Sequence, residues 1–379
     1  MAGTNPKSPQ LVASRKTRIS VGLERYGDFT PWSKADDLLE ALGAVGIGFN
    51  VELDGGPCDI ILRNTESVFH PLADSHLPPS FDTPVVLFDS YDVTHLSLPI
   101  AQEVAKPEVK AYLRSHSFRE TSSYFRQTEG GSYYNHVLSR SINKLAPDAV
   151  PRIEDGPLGD AIKKIVVRNP VLPFLTPQHV EFISGTHGPL EERRMDVVLN
   201  EWNVMDRQLG MLDLKSLGFN VRVFGDLFPG GVCNAQTHGL HYLLYLTTLA
   251  NTKILISPWG QSGFSPIDFE ALLCGTIVIK PECSNTRTWI DIYDPVAGYV
   301  QYCSPAFDDL RDMVLYILKN LGEYSERAEE AREVLWKHYA HPERSVSSWI
   351  NDFRTLCDKI LAGDTRNLGD VKGPLPVSW

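Results

Sequence analysis

What this chain lacks narrows its class before what it holds does. Across 379 residues no run approaches the roughly 18 consecutive apolar residues of a membrane helix. Lysine and arginine, 36 against 47 aspartates and glutamates, leave a formal net charge of −11, and no basic cluster stands out. A surface that neutralises nucleic-acid phosphates needs such clusters, so no nucleic-acid partner is expected. The six cysteines (Cys58, Cys233, Cys274, Cys283, Cys303, Cys357) show no paired spacing of the zinc-site or disulfide-scaffold kind. They read as reduced, buried thiols. No G-x-x-x-x-G-K-[ST] is present, which removes the P-loop kinases. No apolar stretch follows the three positive charges of residues 1–17, so those residues read as a disordered tail and the chain as soluble and cytoplasmic.

What is there is an α/β pattern in two halves. CDIILRN (58–64), PVVLFDS (84–90), MDVVLN (195–200), KILISP (253–258) and TIVIKP (276–281) are short apolar runs bounded by turn residues. Strands buried on both faces look like this, and they alternate with helical patterns, which favours parallel sheets. RISVG (18–22), VKAYLRS (109–115), FNVRVFG (219–225) and GYVQYC (298–303) complete the strands, with helices expected from about Ser33, over 203–217 and near 238–250. At 379 residues two domains are expected, with a cleft between them. The expected division is a tail (1–17), a first lobe (18–185), a second lobe (186–340), a helix (341–362) and an extended end (363–379). Three amphipathic stretches fill 307–362, the last with Val346, Trp349, Ile350, Phe353, Leu356 and Ile360 near helical spacing.

One stretch carries chemistry: SPWGQSGFSPIDFEALLCG, residues 257–275. Ser265, Pro266 and Asp268 occupy the N-cap, N1 and N3 positions of a helix, and Gly275 its C′ position, so 254–280 is predicted to be a strand, loop, helix, strand unit. The loop lies where free N–H groups and the positive end of the helix dipole favour an anion, with Gly260 and Gly263 allowing close approach. An ordinary tight connection without a ligand has the same local pattern.

The run KILISPWGQSGFSPIDFEALLCGTIVIKPECSNTRTWIDIY resembles the C-terminal signature of GT-B glycosyltransferases of the group-1 kind, closely over about 40 residues and loosely over 190–350. The resemblance implies two Rossmann-like doubly wound lobes with a C-terminal helix crossing back to the first. It implies a nucleotide diphosphate sugar as donor, a glycan or glycoconjugate as acceptor, and neither cofactor nor metal. By position, Glu270 resembles the glutamate that binds the donor ribose, a role suited to a carboxylate that accepts from two adjacent hydroxyls. Gly260, Ser262, Gly263, Phe264 and Ser265 would face the diphosphate, with Lys280 or Arg287 adding charge, and Ser284, Asn285 and Thr286 would lie near the donor sugar. The earlier glutamate that touches the transferred sugar in many retaining members is missing, Ser262 and Gly263 standing there, so the stereochemical outcome is open.

An inverting reaction needs a base from the first lobe, for which Asp89 and Asp92 in LFDSYDVTH, or Asp28 after the first strand, are the candidates. The absence of Asp-x-Asp at a strand end argues against a metal-dependent GT-A enzyme. His238 and His241 lack a third ligand, and GAVGIGF (43–49) follows a helix where a dinucleotide loop would follow a strand. FPGGVCN (228–234) reads as a turn that could add backbone donors. Two other functions fit the same lobes: a two-lobe nucleotide-sugar epimerase, and a non-catalytic nucleotide-sugar or glycan-binding module.

Overall fold

The computed structural model describes residues 19–23, 49–53, 58–64, 83–88, 96, 98–114, 116–125, 156–167, 177–186, 188–200, 214–224, 239–259, 263–339, 342–365 and 368. In chain order the strands of the first half are Ile19–Leu23 (β1), Phe49–Leu53 (β2), Ile60–Asn64 (β3), Val85–Phe88 (β4), Val109–Arg114 (β5), His116–Phe118 (β6) and Ile165–Val167 (β7). Those of the second half are Met195–Leu199 (β8), Val221–Val223 (β9), Thr252–Ile256 (β10), Ile277–Pro281 (β11), Thr286–Thr288 (β12) and Val300–Cys303 (β13). The helices are Leu98–Ala105 (α1), Gly156–Ile162 (α2), Pro177–Thr186 (α3), Gly239–Ala250 (α4), Pro266–Leu273 (α5), Leu310–Lys319 (α6), Leu321–Tyr339 (α7) and Pro342–Leu361 (α8).

Two sheets result, a six-stranded one in the order β2-β1-β3-β4-β5-β7 and a five-stranded one in the order β13-β11-β10-β8-β9. Every pairing within them is parallel. In each the chain adds its second strand on one side of the first and its third on the other, so the order reverses between β1 and β3 and again between β8 and β10. Open α/β sheets bind ligands outside the carboxyl ends of the strands at such a reversal. The loop leaving β10 lies beside the second one.

The continuous apolar runs are explained by burial on both faces. Ile254, Ile256, Ile277 and Ile279 join a core under α6 and α7, while Leu255 and Val278, on the opposite face, join a second core with α4 and α5. In the first sheet Val86 faces a third core and its neighbours Val85 and Leu87 do not. That third core takes in Phe353, Leu356, Cys357 and Ile360 from the end of α8 against Ile60, Leu62, Ala111 and Leu113 of the first sheet. The terminal helix therefore returns to the first lobe, and the fold is two doubly wound Rossmann-like lobes with that crossing helix. The core containing Leu255 is continuous with Val85, Leu87 and Tyr112 of the first sheet, so the lobes share buried apolar contact.

Two strands belong to neither sheet. β6, which begins after the carboxyl end of β5, pairs antiparallel with β12, which begins after the carboxyl end of β11. Segments that follow a strand of each sheet are thereby joined. No described helix is long and apolar enough to cross a membrane. The helix expected from Ser33, most of the one over 203–217 and the segment FPGGVCN lie outside the described residues.

Candidate active site at the facing strand edges

α5 is buried from Ile267 to Leu273, its two acids Asp268 and Glu270 included, so it has no solvent stripe to show. Its end is the expected one: Gly275 has φ 66°, its N–H bonds Leu272 O at 2.9 Å, and Thr276 N–H bonds Ala271 O at 2.9 Å. This double bond pattern is a Schellman cap, and the left-handed residue at its centre is tolerated because it is glycine.

The start of α5 differs from expectation. Ser265 is the N-cap residue and Pro266 sits at N1, but the Ser265 hydroxyl makes no capping bond. Asp268 does not reach back to the Ser265 N–H; the Tyr293 hydroxyl accepts from it instead, at 3.0 Å. The Asp268 carboxylate turns inward, accepting from Ser257 Oγ on one oxygen and from Tyr293 OH (2.6 Å) and Lys280 Nζ (3.0 Å) on the other. Lys280 also reaches Ser257 O at 3.4 Å and Ser257 Oγ at 3.3 Å. Lys280 and Asp268 are both 0% exposed, a burial that charges tolerate only when paired. The capping box is overridden because a buried lysine makes a stronger claim on that carboxylate than a backbone N–H does. Lys280 enters the site as the counter-ion of Asp268.

Glu270 is likewise 0% exposed. Its Oε1 accepts from Tyr242 OH and its Oε2 from Tyr245 OH, both at 2.6 Å, and the two rings of α4 stack at 5.7 Å. Burial, and then the negative Glu270, push both hydroxyls well above the usual tyrosine range, so they remain protonated donors. α4 and α5 are thus bracketed through one carboxylate.

The remaining expected donor residues are placed as follows. Gly263 is buried, and Phe264 stacks on His116 of the first lobe at 4.7 Å and 9° between planes. Ser284, Asn285 and Thr286 follow β11 and engage the first lobe: Arg119 Nε donates to Ser284 O at 3.0 Å and Arg119 Nη2 to Thr286 O at 3.2 Å. Asn285 Oδ1 accepts from Glu120 N at 2.8 Å, while Asn285 Nδ2 donates to Ser123 Oγ at 2.6 Å. Arg287 lies in β12 opposite Ser117. Gly260, Ser262 and the candidate bases Asp28, Asp89 and Asp92 lie outside the described residues. Among the described residues no group of three or more His, Cys, Asp or Glu could hold a metal ion.

No family model matches the chain, and no curated protein does. Solved structures do align with it. One is an α1,3-fucosyltransferase, at 12% identity over 92% of this chain and 93% of that one, with a TM-score of 0.41. Another is a sucrose-phosphate synthase from Thermosynechococcus elongatus, at 10% identity over 91% and 100% of the two chains, with a TM-score of 0.45. The chain is similar to GT-B glycosyltransferases. A third match, at 11% identity over 82% and 90% with a TM-score of 0.33, is a putative UDP-N-acetylglucosamine 2-epimerase from Listeria monocytogenes.

Sequence reasoning missed several residues that shape the site. Tyr242, Tyr245 and Tyr293, which hold the two buried carboxylates, carry no motif. Arg193 is 6% exposed and donates to Cys274 O and Thr252 O at 2.8 Å each and to Thr276 Oγ1 at 3.1 Å. It places a cation on the carbonyl end of α5, and burial lowers its guanidinium to about 10. His116 is buried, and burial followed by the charge of Arg114 holds its imidazole well below 6.5, hence neutral at neutral pH.

Proposed function

We propose that the chain transfers a sugar from a nucleotide diphosphate donor to a hydroxyl of a glycan or glycoconjugate acceptor without a metal. The observation that carries this reading is the placement of the α5 N-terminus: residues 257–259 leave β10 beside the order reversal of the second sheet, 263–265 open α5, and Phe264 stacks on His116 of the first lobe. A donor diphosphate would lie against the backbone of 260–264 ahead of the α5 N-terminus, where charge building on the leaving group is stabilised by fixed dipoles. With Lys280 engaged by Asp268, backbone donors supply that stabilisation, and the buried pair fixes the helix that aims them.

Glu270 remains the ribose acceptor in this reading. Each of its oxygens accepts from a tyrosine hydroxyl, and a carboxylate oxygen can accept from more than one donor. Its full burial requires the donor to displace what covers it. The base on the acceptor hydroxyl would be Asp89, Asp92 or Asp28, each of which comes after a strand of the first sheet in the sequence. The protein would work in the cytoplasm.

A melting panel of UDP-, GDP-, ADP- and dTDP-sugars tests the reading. A donor present at a hundred times its Kd stabilises by about 2.7 kcal/mol, a readily measured shift. Transfer to an acceptor must then follow. Conversion of the free nucleotide sugar without acceptor would mark an epimerase, and binding with neither transfer nor slow donor hydrolysis would mark a binding module.

A further inference from the structure

The loop after β11 owes its order to the opposite lobe. Among the described residues β12 has a single ladder partner, β6, in a two-stranded ribbon of three residues each, too short to hold without help. That help centres on Arg119. Besides its bonds to Ser284 O and Thr286 O, its guanidinium grips Asp291 with both forks, Nη1 to Oδ2 at 2.8 Å and Nη2 to Oδ1 at 3.1 Å. Its own N–H donates to Asn285 O at 2.5 Å. Burial works against its charge, but the bond to Asp291 and the charges of Asp291 and Asp294 outweigh it and raise the guanidinium above its ordinary range.

We propose that Arg119 is a positioning residue for the donor site, a guanidinium of the first lobe that holds residues 284–291 of the second lobe where the donor sugar is to lie. The inference rests on the donor reading above, which places Ser284, Asn285 and Thr286 beside that sugar. Only arginine has the planar fork to hold a carboxylate by two parallel bonds and still reach two carbonyls. Its consequence is coupling: separating the lobes removes the strand partner that the loop has among the described residues, so donor-site order and lobe closure rise and fall together. Arg119 touches no reacting atom in this account. It acts through the loop.

The test uses the full chain with Arg119→Ala, Arg119→Lys and the exchange Arg119→Asp/Asp291→Arg. Amide hydrogen exchange of 284–291 without ligand should quicken about tenfold in Arg119→Ala, less in Arg119→Lys, with the exchanged pair recovering part of the protection. With the donor found by the melting panel, Arg119→Ala should raise the donor KM about tenfold and leave the acceptor KM unchanged, which loss of general stability would not do. Unchanged exchange in 284–291, or an unchanged donor KM, overturns the inference while leaving the donor reading intact. A wild-type protein that binds no nucleotide sugar overturns the donor reading itself, and this role for Arg119 with it.

Discussion

Removing the Lys280 ammonium should destabilise the second lobe more than any single surface charge could. In Lys280→Met the methylene volume stays and the charge goes, leaving the Asp268 carboxylate at 0% exposure with Ser257 Oγ and Tyr293 OH as its side-chain donors among the described residues. Breaking a buried pair from one side costs about 3–5 kcal/mol, because the surviving charge stays desolvated. The two hydroxyl bonds left to Asp268 put the expectation at the lower end, about 3 kcal/mol. For a lobe of this size that is a fall in Tm of about 6–12 °C. Lys280→Met/Asp268→Asn, which removes both charges at nearly constant volume, should recover most of it, to within about 1–2 kcal/mol of the wild type. Calorimetric melting at neutral pH reads both. If Lys280→Met melts within about 2 °C of the wild type, or the double variant melts as low as the single, the pair does not hold α5 as described.

Further outcomes follow from the same geometry. Glu270→Gln should abolish the donor-induced melting shift, since a neutral amide offers one acceptor oxygen where two were used; a full shift would remove the ribose from this residue. Tyr242→Phe should cost about 1.5–3 kcal/mol in urea unfolding by deleting a charge-assisted bond, and a loss below about 0.5 kcal/mol would refute the bracket. His116 binds its proton less readily folded than unfolded, so its contribution is full above its unfolded value of 6.5 and is lost as pH falls below it. His116→Phe keeps an aromatic ring against Phe264 and should flatten the stability curve between pH 6.5 and more acid solution; an unchanged slope would contradict the neutral, buried assignment.

The sheets were legible in the sequence because their strands are buried on both faces, so VVLF of β4 and the IVI that opens β11 appear as unbroken apolar runs. Gly275 was legible because a left-handed helix end leaves little choice of residue. What stayed hidden depends on partners far along the chain. HSF of β6 and TRT of β12 are three residues each, polar in part, and become strands only by meeting across about 170 positions. Asp268 at N3 has a local reading as a capping acid, and nothing nearby announces that Lys280 and Tyr293 will take it inward. Glu270 stood out as a charge in an apolar helix, but the sequence did not show that Tyr242 and Tyr245, some 25 residues upstream, would bracket it.

The account stands on a nucleotide diphosphate sugar lying in the crevice between the two lobes. A crystal structure of the donor complex measures this directly. The expected result has the diphosphate oxygens within hydrogen-bond distance of the backbone amides of 260–264 and the sugar against residues 284–286. A diphosphate bound away from the α5 N-terminus, with the 257–265 loop packed only against the protein's own side chains, would contradict it.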